Sequence, residues 1–113
     1  MSQQVSRSHQ IPALSQDIFD QTVRASVPTL VDFTAPWCAP CRALAPTVAA
    51  IAADYAGRLQ VATCNIDENQ SIAQAFEIRS VPTLLVFKGG HVVGQLVGAV
   101  PRARIEALLA AAL

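Results

Sequence analysis

Thr29-Leu30-Val31-Asp32-Phe33-Thr34, followed after Ala35-Pro36 by Trp37-Cys38-Ala39-Pro40-Cys41, decides the reading of this chain. The first run is nearly all apolar, as in a strand covered on both faces. The second holds two cysteines separated by two residues. At that spacing both fit the first turn of a helix and can close, open and reclose a disulfide. The result is a two-electron switch that needs no metal and no organic cofactor. Strand, short loop, cysteine pair and helix is the setting a redox Cys-x-x-Cys requires.

Other readings of the pair stay open at this point. A zinc site would use Cys38 and Cys41 as half of four ligands. The remainder would have to come from Cys64, His9 and His91, which lack ligand spacing. A plain pair of core cysteines is the third reading, since free cysteine is often buried. Redox chemistry suits the strand-and-helix context best. Cys38 would lie at the helix N-terminus, where free N–H groups and the dipole favour negative charge. Cys41, one turn further in, would be the more buried. Cys38 would then attack a target disulfide, and Cys41 would resolve the mixed disulfide. Pro40 keeps the turn rigid, and Ala39 is small enough for a partner chain to approach.

Working outward, Ser15 is placed to cap a helix running to about Ala25, with Asp17 favouring the same end. Leu44, Val48, Ile51, Ala52 and Tyr55 recur at helical spacing after the cysteines. Pro46 inside that helix removes a hydrogen bond and predicts a kink. Gly57 ends the helix. Leu59 to Ile66 reads as a strand and Ser71 to Phe76 as a short helix. Thr83–Phe87 and His91–Val97 flank Lys88-Gly89-Gly90 as a hairpin. Pro101 opens a last helix with Ile105, Leu108, Leu109 and Ala112 inward. This alternation implies an α/β domain with a parallel sheet and an antiparallel edge from the closing hairpin. Residues 1–9 are expected to be a flexible tail, and 10–113 the single domain.

With 113 residues there is room for one domain. Apolar residues make up 52%, charged residues 14%, and the formal net charge is zero. Lys and Arg do not cluster, so neither nucleic acid nor an anionic membrane is an expected partner. No secretory signal and no membrane span are expected. The expected location is the cytoplasm, where resting thiols stay reduced.

The chain resembles the thioredoxin family. The resemblance is carried by Leu30-Val31-Asp32-Phe33, Trp37-Cys38-Ala39-Pro40-Cys41-Arg42, Ala45-Pro46, Asn65-Ile66-Asp67, Ile78 through Lys88, and Val97-Gly98-Ala99. These segments run in family order over about residues 11 to 113. The resemblance implies a thioredoxin fold, a five-stranded mixed sheet covered by four helices, with a cis bond at Val81-Pro82. It implies a docking surface of Trp37, Pro40, Val81, Pro82, Gly98 and Ala99, on which Val81 offers its backbone to the substrate chain. It also implies that Asp32 takes the proton from Cys41 through water. Independently, a carboxylate in an apolar strand calls for a functional account, because burial raises its pKa into a range suited to acid–base work.

Several positions depart from the family pattern. Thr34 stands where many relatives carry tryptophan, Ala39 replaces the commoner glycine, and Arg42 replaces lysine. Thr63 replaces a lysine near the buried carboxylate, so an opposite charge that would favour ionised Asp32 is missing. Ala39, Pro40 and Thr63 are therefore the residues expected to tune the pair. Cys64 is extra; on its strand it faces away from Thr63 and reads as a buried small apolar residue.

The leading functional expectation is a monomeric protein-disulfide reductase acting through a Cys38–Cys41 disulfide, without a bound cofactor. The resemblance implies that a thioredoxin reductase supplies electrons from NADPH, and that disulfide-containing proteins are the substrates. The alternatives are a disulfide oxidase or isomerase, and a binding subunit of this fold with secondary redox activity. Oxidases and isomerases usually carry histidine between the cysteines, where this chain has Ala39-Pro40.

Overall fold

The computed structural model describes residues 11–113. The expected tail at residues 1–9 lies outside that range. The elements, in chain order, are α1 (Gln16–Val23), β1 (Thr29–Thr34), α2 (Ala39–Asp54), β2 (Gln60–Asn65), α3 (Gln70–Ala75), β3 (Thr83–Lys88), β4 (His91–Val97) and α4 (Arg102–Ala112). The strands lie in the order β2-β1-β3-β4. The four expected helices are therefore present, on a mixed sheet.

Among the described residues the sheet has four strands, not five. The missing strand is reduced to a single parallel bridge between Ala13 and Thr63. Leu14 N–H donates to the Thr63 carbonyl at 2.8 Å, and Thr63 N–H donates to the Pro12 carbonyl at 2.9 Å. Pro12 has no N–H with which to lengthen the ladder, and α1 begins four residues later.

Only β1 and β2 are parallel; β3 runs antiparallel to β1, and β4 antiparallel to β3. Strand–helix alternation thus overstates the parallel part. α3 by itself is too short to cross the sheet. A six-residue helix spans about 9 Å, while a six-residue strand spans about 20 Å. The connection from β2 through α3 returns to the end of the sheet where β2 leaves, and β3 enters there.

Both sheet faces are covered. Leu30, Val61, Leu84 and Val86 pack with Leu44, Val48 and Ile51 of α2 and with Ile105 and Leu109 of α4. Val31, Phe33, Ala62, Cys64, Leu85 and Phe87 face α1 and α3. On that side Phe19 meets the rings of Phe33, Phe76 and Phe87 at 5.6 to 6.3 Å. Such pairs add about 0.5–1.5 kcal/mol each beyond area burial.

Local chemistry sets the boundaries. Ser15 is the N-cap of α1, but its hydroxyl does not take an orphan N–H. It donates to Asp17 Oδ1 at 2.6 Å, which lowers the Asp17 pKa. The hairpin turn is Gly89-Gly90, with φ of 59° and 86°. Two positive φ angles in succession make the primed turn that matches strand twist, and glycine adopts them at little cost. Leu108, expected to point inward, is only partly buried.

Candidate active site

The register brings the sequence-predicted residues together at one end of the sheet. β1 ends at Thr34, while β3 begins with Thr83 opposite Phe33 and β4 ends with Val97 opposite Thr83. Four connections therefore meet at the same end of the sheet: Ala35–Cys38, the β2 exit at Ile66–Asp67, Val81–Pro82 and Gly98–Ala99. The N-terminus of α2 points into the same region.

Cys38 and Cys41 are disulfide-bonded, with Cα atoms 5.3 Å apart. Cys38 is the N-cap of α2. Its Sγ accepts a hydrogen bond from the Cys41 backbone N–H at 3.1 Å. Sulfur here occupies the role that a serine or aspartate oxygen plays in ordinary capping. An aligned N–H and the positive end of the helix dipole both stabilise negative charge on that sulfur. Burial hardly distinguishes the two cysteines, which are 4% and 3% exposed. What sets Cys38 apart is the N–H aimed at its sulfur.

Val81-Pro82 is a cis bond, and the Val81 carbonyl oxygen lies 3.6 Å from Cys38 Sγ. Gly98 N–H donates to the Pro82 carbonyl at 2.9 Å, which joins the β4 exit to this loop. Trp37, Ala39, Pro40 and Ala99 are exposed, Val81 and Gly98 half-buried, and Pro82 buried beneath them. Trp37 is 64% exposed, and its indole Nε1–H donates to Asp67 Oδ2 at 3.0 Å. Asp67 N–H is in turn held by Asn65 Oδ1 at 2.8 Å. Sequence reading gave Asp67 no part in the site. The two residues are 30 positions apart, so only the fold shows their contact. Ile66, which packs beside the cysteines, was missed for the same reason.

Behind the disulfide lies a cleft of about 470 Å³ between β1, β2 and the start of α2. Asp32, Thr34, Thr63 and Asn65 line its sheet side; Cys41, Arg42 and Ala45 line its helix side. Asp32 is 4% exposed, and its Oδ1 is buried without a hydrogen-bond partner. Burial pushes its carboxyl up to about 7, because a carboxylate loses its hydration there. Thr63 faces Asp32 directly in the β1–β2 register, so the position read as lacking a lysine does adjoin the carboxyl. Cys64, on the opposite face, is fully buried, and burial pushes its thiol up to about 11. Among the described residues no group of three His, Cys, Asp or Glu is arranged to hold a metal. No helix among them is long and apolar enough to cross a membrane.

The thioredoxin family profile matches residues 10–111. Over 97 residues the chain is 48% identical to thioredoxin 1 of Nostoc sp., covering 85% of this chain and 91% of that one. It is 48% identical over 94 residues to the M-type chloroplastic thioredoxin of Chlamydomonas reinhardtii, covering 82% and 67%. With thioredoxin of Alicyclobacillus acidocaldarius it shares 46% over 92 residues, covering 81% and 88%. Sequence, fold and the disulfide at the head of α2 agree: this thiol–disulfide oxidoreductase belongs to the thioredoxin family.

Proposed function

We propose that this protein reduces protein disulfides, with Cys38 as nucleophile, Cys41 as resolving thiol and Asp32 as proton acceptor for Cys41. The observation that carries this reading is the hydrogen bond from Cys41 N–H to Cys38 Sγ. It supports Cys38 as the better anion of the two sulfurs once the disulfide is reduced. The Cys38 thiolate attacks a target disulfide and forms a mixed disulfide, releasing one target thiolate. Cys41 gives its proton to Asp32 and attacks Cys38 Sγ. The Cys38–target bond breaks, and its electron pair leaves on the second target sulfur. Two electrons have passed to the target, and the chain holds the Cys38–Cys41 disulfide.

The substrate segment would lie along Val81 as an added strand. Trp37 and Pro40 would flank it on one side, Gly98 and Ala99 on the other, with Pro82 as floor. The Val81 carbonyl beside Cys38 Sγ favours this placement, since a strand bonded there carries its sulfur to the nucleophile. Electrons would return from NADPH through a thioredoxin reductase. The protein would work as a monomer in the cytoplasm.

The test is turnover of insulin disulfides by NADPH and a bacterial thioredoxin reductase. The parent should sustain NADPH consumption and Cys38→Ser should abolish it. A Cys38→Ser protein that still turns over would overturn the assignment. Asp32→Asn should slow turnover most below neutral pH.

A further inference from the structure

The two cysteines sit inside a ring that one side-chain hydrogen bond closes. Arg42 follows Cys41 on α2, and its Nη1 donates to the Pro36 carbonyl at 2.9 Å. Between these partners lies Trp37-Cys38-Ala39-Pro40-Cys41, the whole redox segment. Arg42 is bound to this segment twice, because its backbone N–H also donates to the Cys38 carbonyl at 3.3 Å. The Cys38 N–H in turn donates to the Ala35 carbonyl at 3.2 Å. Arg42 is exposed, and among the described residues its guanidinium forms no ion pair. Glu68 lines the same cleft, yet the guanidinium is directed at a carbonyl.

This ring matters when the disulfide is open. The covalent tie between Cys38 and Cys41 is then gone, and the resolving step depends on how often the two sulfurs meet. Holding two reacting groups in place raises their effective concentration. Neither end of the Arg42–Pro36 bond is a sulfur, so its partners are the same in the dithiol and in the mixed disulfide. Pinning an arginine costs rotamer freedom, but a charged donor makes the stronger kind of hydrogen bond. The bond ties the turn of α2 that carries Cys41 to the loop that carries Cys38. The next residue of that loop, Trp37, is held from β2 by Asp67.

We propose that Arg42 is a positioning residue of the resolving step, whose bond to the Pro36 carbonyl keeps Cys41 within reach of Cys38 while the disulfide is open. It acts through the backbone of the ring. The inference rests on Cys41 as the resolving thiol. In that step the Cys41 thiolate attacks Cys38 Sγ, the Cys38–target bond breaks, and its electron pair leaves on the target sulfur. No further oxidant or reductant enters. The same positioning favours the closed disulfide over the dithiol, so it makes the pair the stronger reductant.

Two readouts test this. Equilibration with reduced and oxidised glutathione gives the effective concentration of the closed pair, read by alkylation and mass spectrometry. A stopped-flow reaction with one equivalent of an aromatic disulfide gives the rates. Attack by Cys38 releases one coloured thiolate, and attack by Cys41 releases the second. Arg42→Met removes the donors and keeps an unbranched stem. It should lower the effective concentration and slow the second release, each by about threefold to tenfold, the span of one hydrogen bond. The first release and the pH profile of Cys38 alkylation should stay at parent values. Arg42→Lys keeps the charge and one donor group, and should fall between Arg42→Met and the parent. An Arg42→Met protein that matches the parent in both readouts would overturn the proposal. Equal slowing of both releases would show a charge acting on the Cys38 thiolate and overturn it too. An Arg42→Lys protein no better than Arg42→Met would deny the donor its part, with the same result. An intramolecular second release that persists in Cys41→Ser would remove the premise itself.

Discussion

Asp32 and Thr63 stand opposite each other in the parallel β1–β2 ladder, and among the described residues Asp32 Oδ1 has no hydrogen-bond partner. Burial is the sole cause that raises Asp32 to about 7. A lysine at position 63 would bring an opposite charge into the cleft and favour ionised Asp32. Thr63→Lys should therefore lower the Asp32 pKa. Carboxyl titration by isotope-edited infrared or NMR would measure it, together with the pH profile of the reduced cysteines. Superimposable curves for variant and parent would refute the account.

The same carboxyl makes stability depend on pH. Between 3.8 and about 7 the folded chain keeps a proton that the unfolded chain has lost. Stability therefore falls as pH rises through this window, by about 4 kcal/mol at most, and levels off above it. Asp32→Asn removes the titration. Its gain over the parent should be near zero at about pH 4 and full above about pH 7. Urea midpoints across that range check the prediction; a gain independent of pH contradicts it.

Cys64 should be chemically silent in the folded protein. It is fully buried, and its thiol titrates near 11, so little thiolate exists at mildly alkaline pH. In the reduced native chain, iodoacetamide should label Cys38 and spare Cys64. Unfolding should expose Cys64 to the reagent. Peptide mass spectrometry reads both, and labelling of native Cys64 at the rate of Cys38 would count against the burial argument.

Gly94 is required by its neighbour on α4. A Cβ there would come within 2.6 Å of Leu108 Cδ1 and 2.9 Å of its Cγ. Gly94→Ala should cost about 1–3 kcal/mol. Leu108→Ala in the same chain should recover part of that loss, giving a favourable coupling in a double-mutant cycle. Strictly additive effects in thermal or urea unfolding would show that the two groups do not clash.

Much of the site was legible in the sequence because its signals are local. The Cys-x-x-Cys spacing, the apolar run before it and a lone Asp within that run each speak within a few residues. The hairpin was legible because Gly89-Gly90 marks its turn. Register was not legible. That Asp32, Thr34, Thr63 and Asn65 form one block depends on how β1 aligns with β2, which neither strand states alone. The Trp37–Asp67 bond depends on the same alignment. The direction of β3 was misread because strand–helix alternation says nothing about whether a helix can span the sheet. The fifth strand was expected from resemblance, whereas among the described residues it is one bridge at Ala13, next to Pro12, which has no N–H to donate.

That bridge bears on the active site. Ala13 is both its pairing residue and a wall of the cleft, and two peptide hydrogen bonds to Thr63 hold it there. The Thr63 amide has the Pro12 carbonyl as its acceptor, so it is protected only while this segment is paired. Hydrogen exchange at this one amide therefore clocks the local opening. One wall of the cleft beside Asp32 is thus fastened by two backbone bonds rather than by side-chain packing alone.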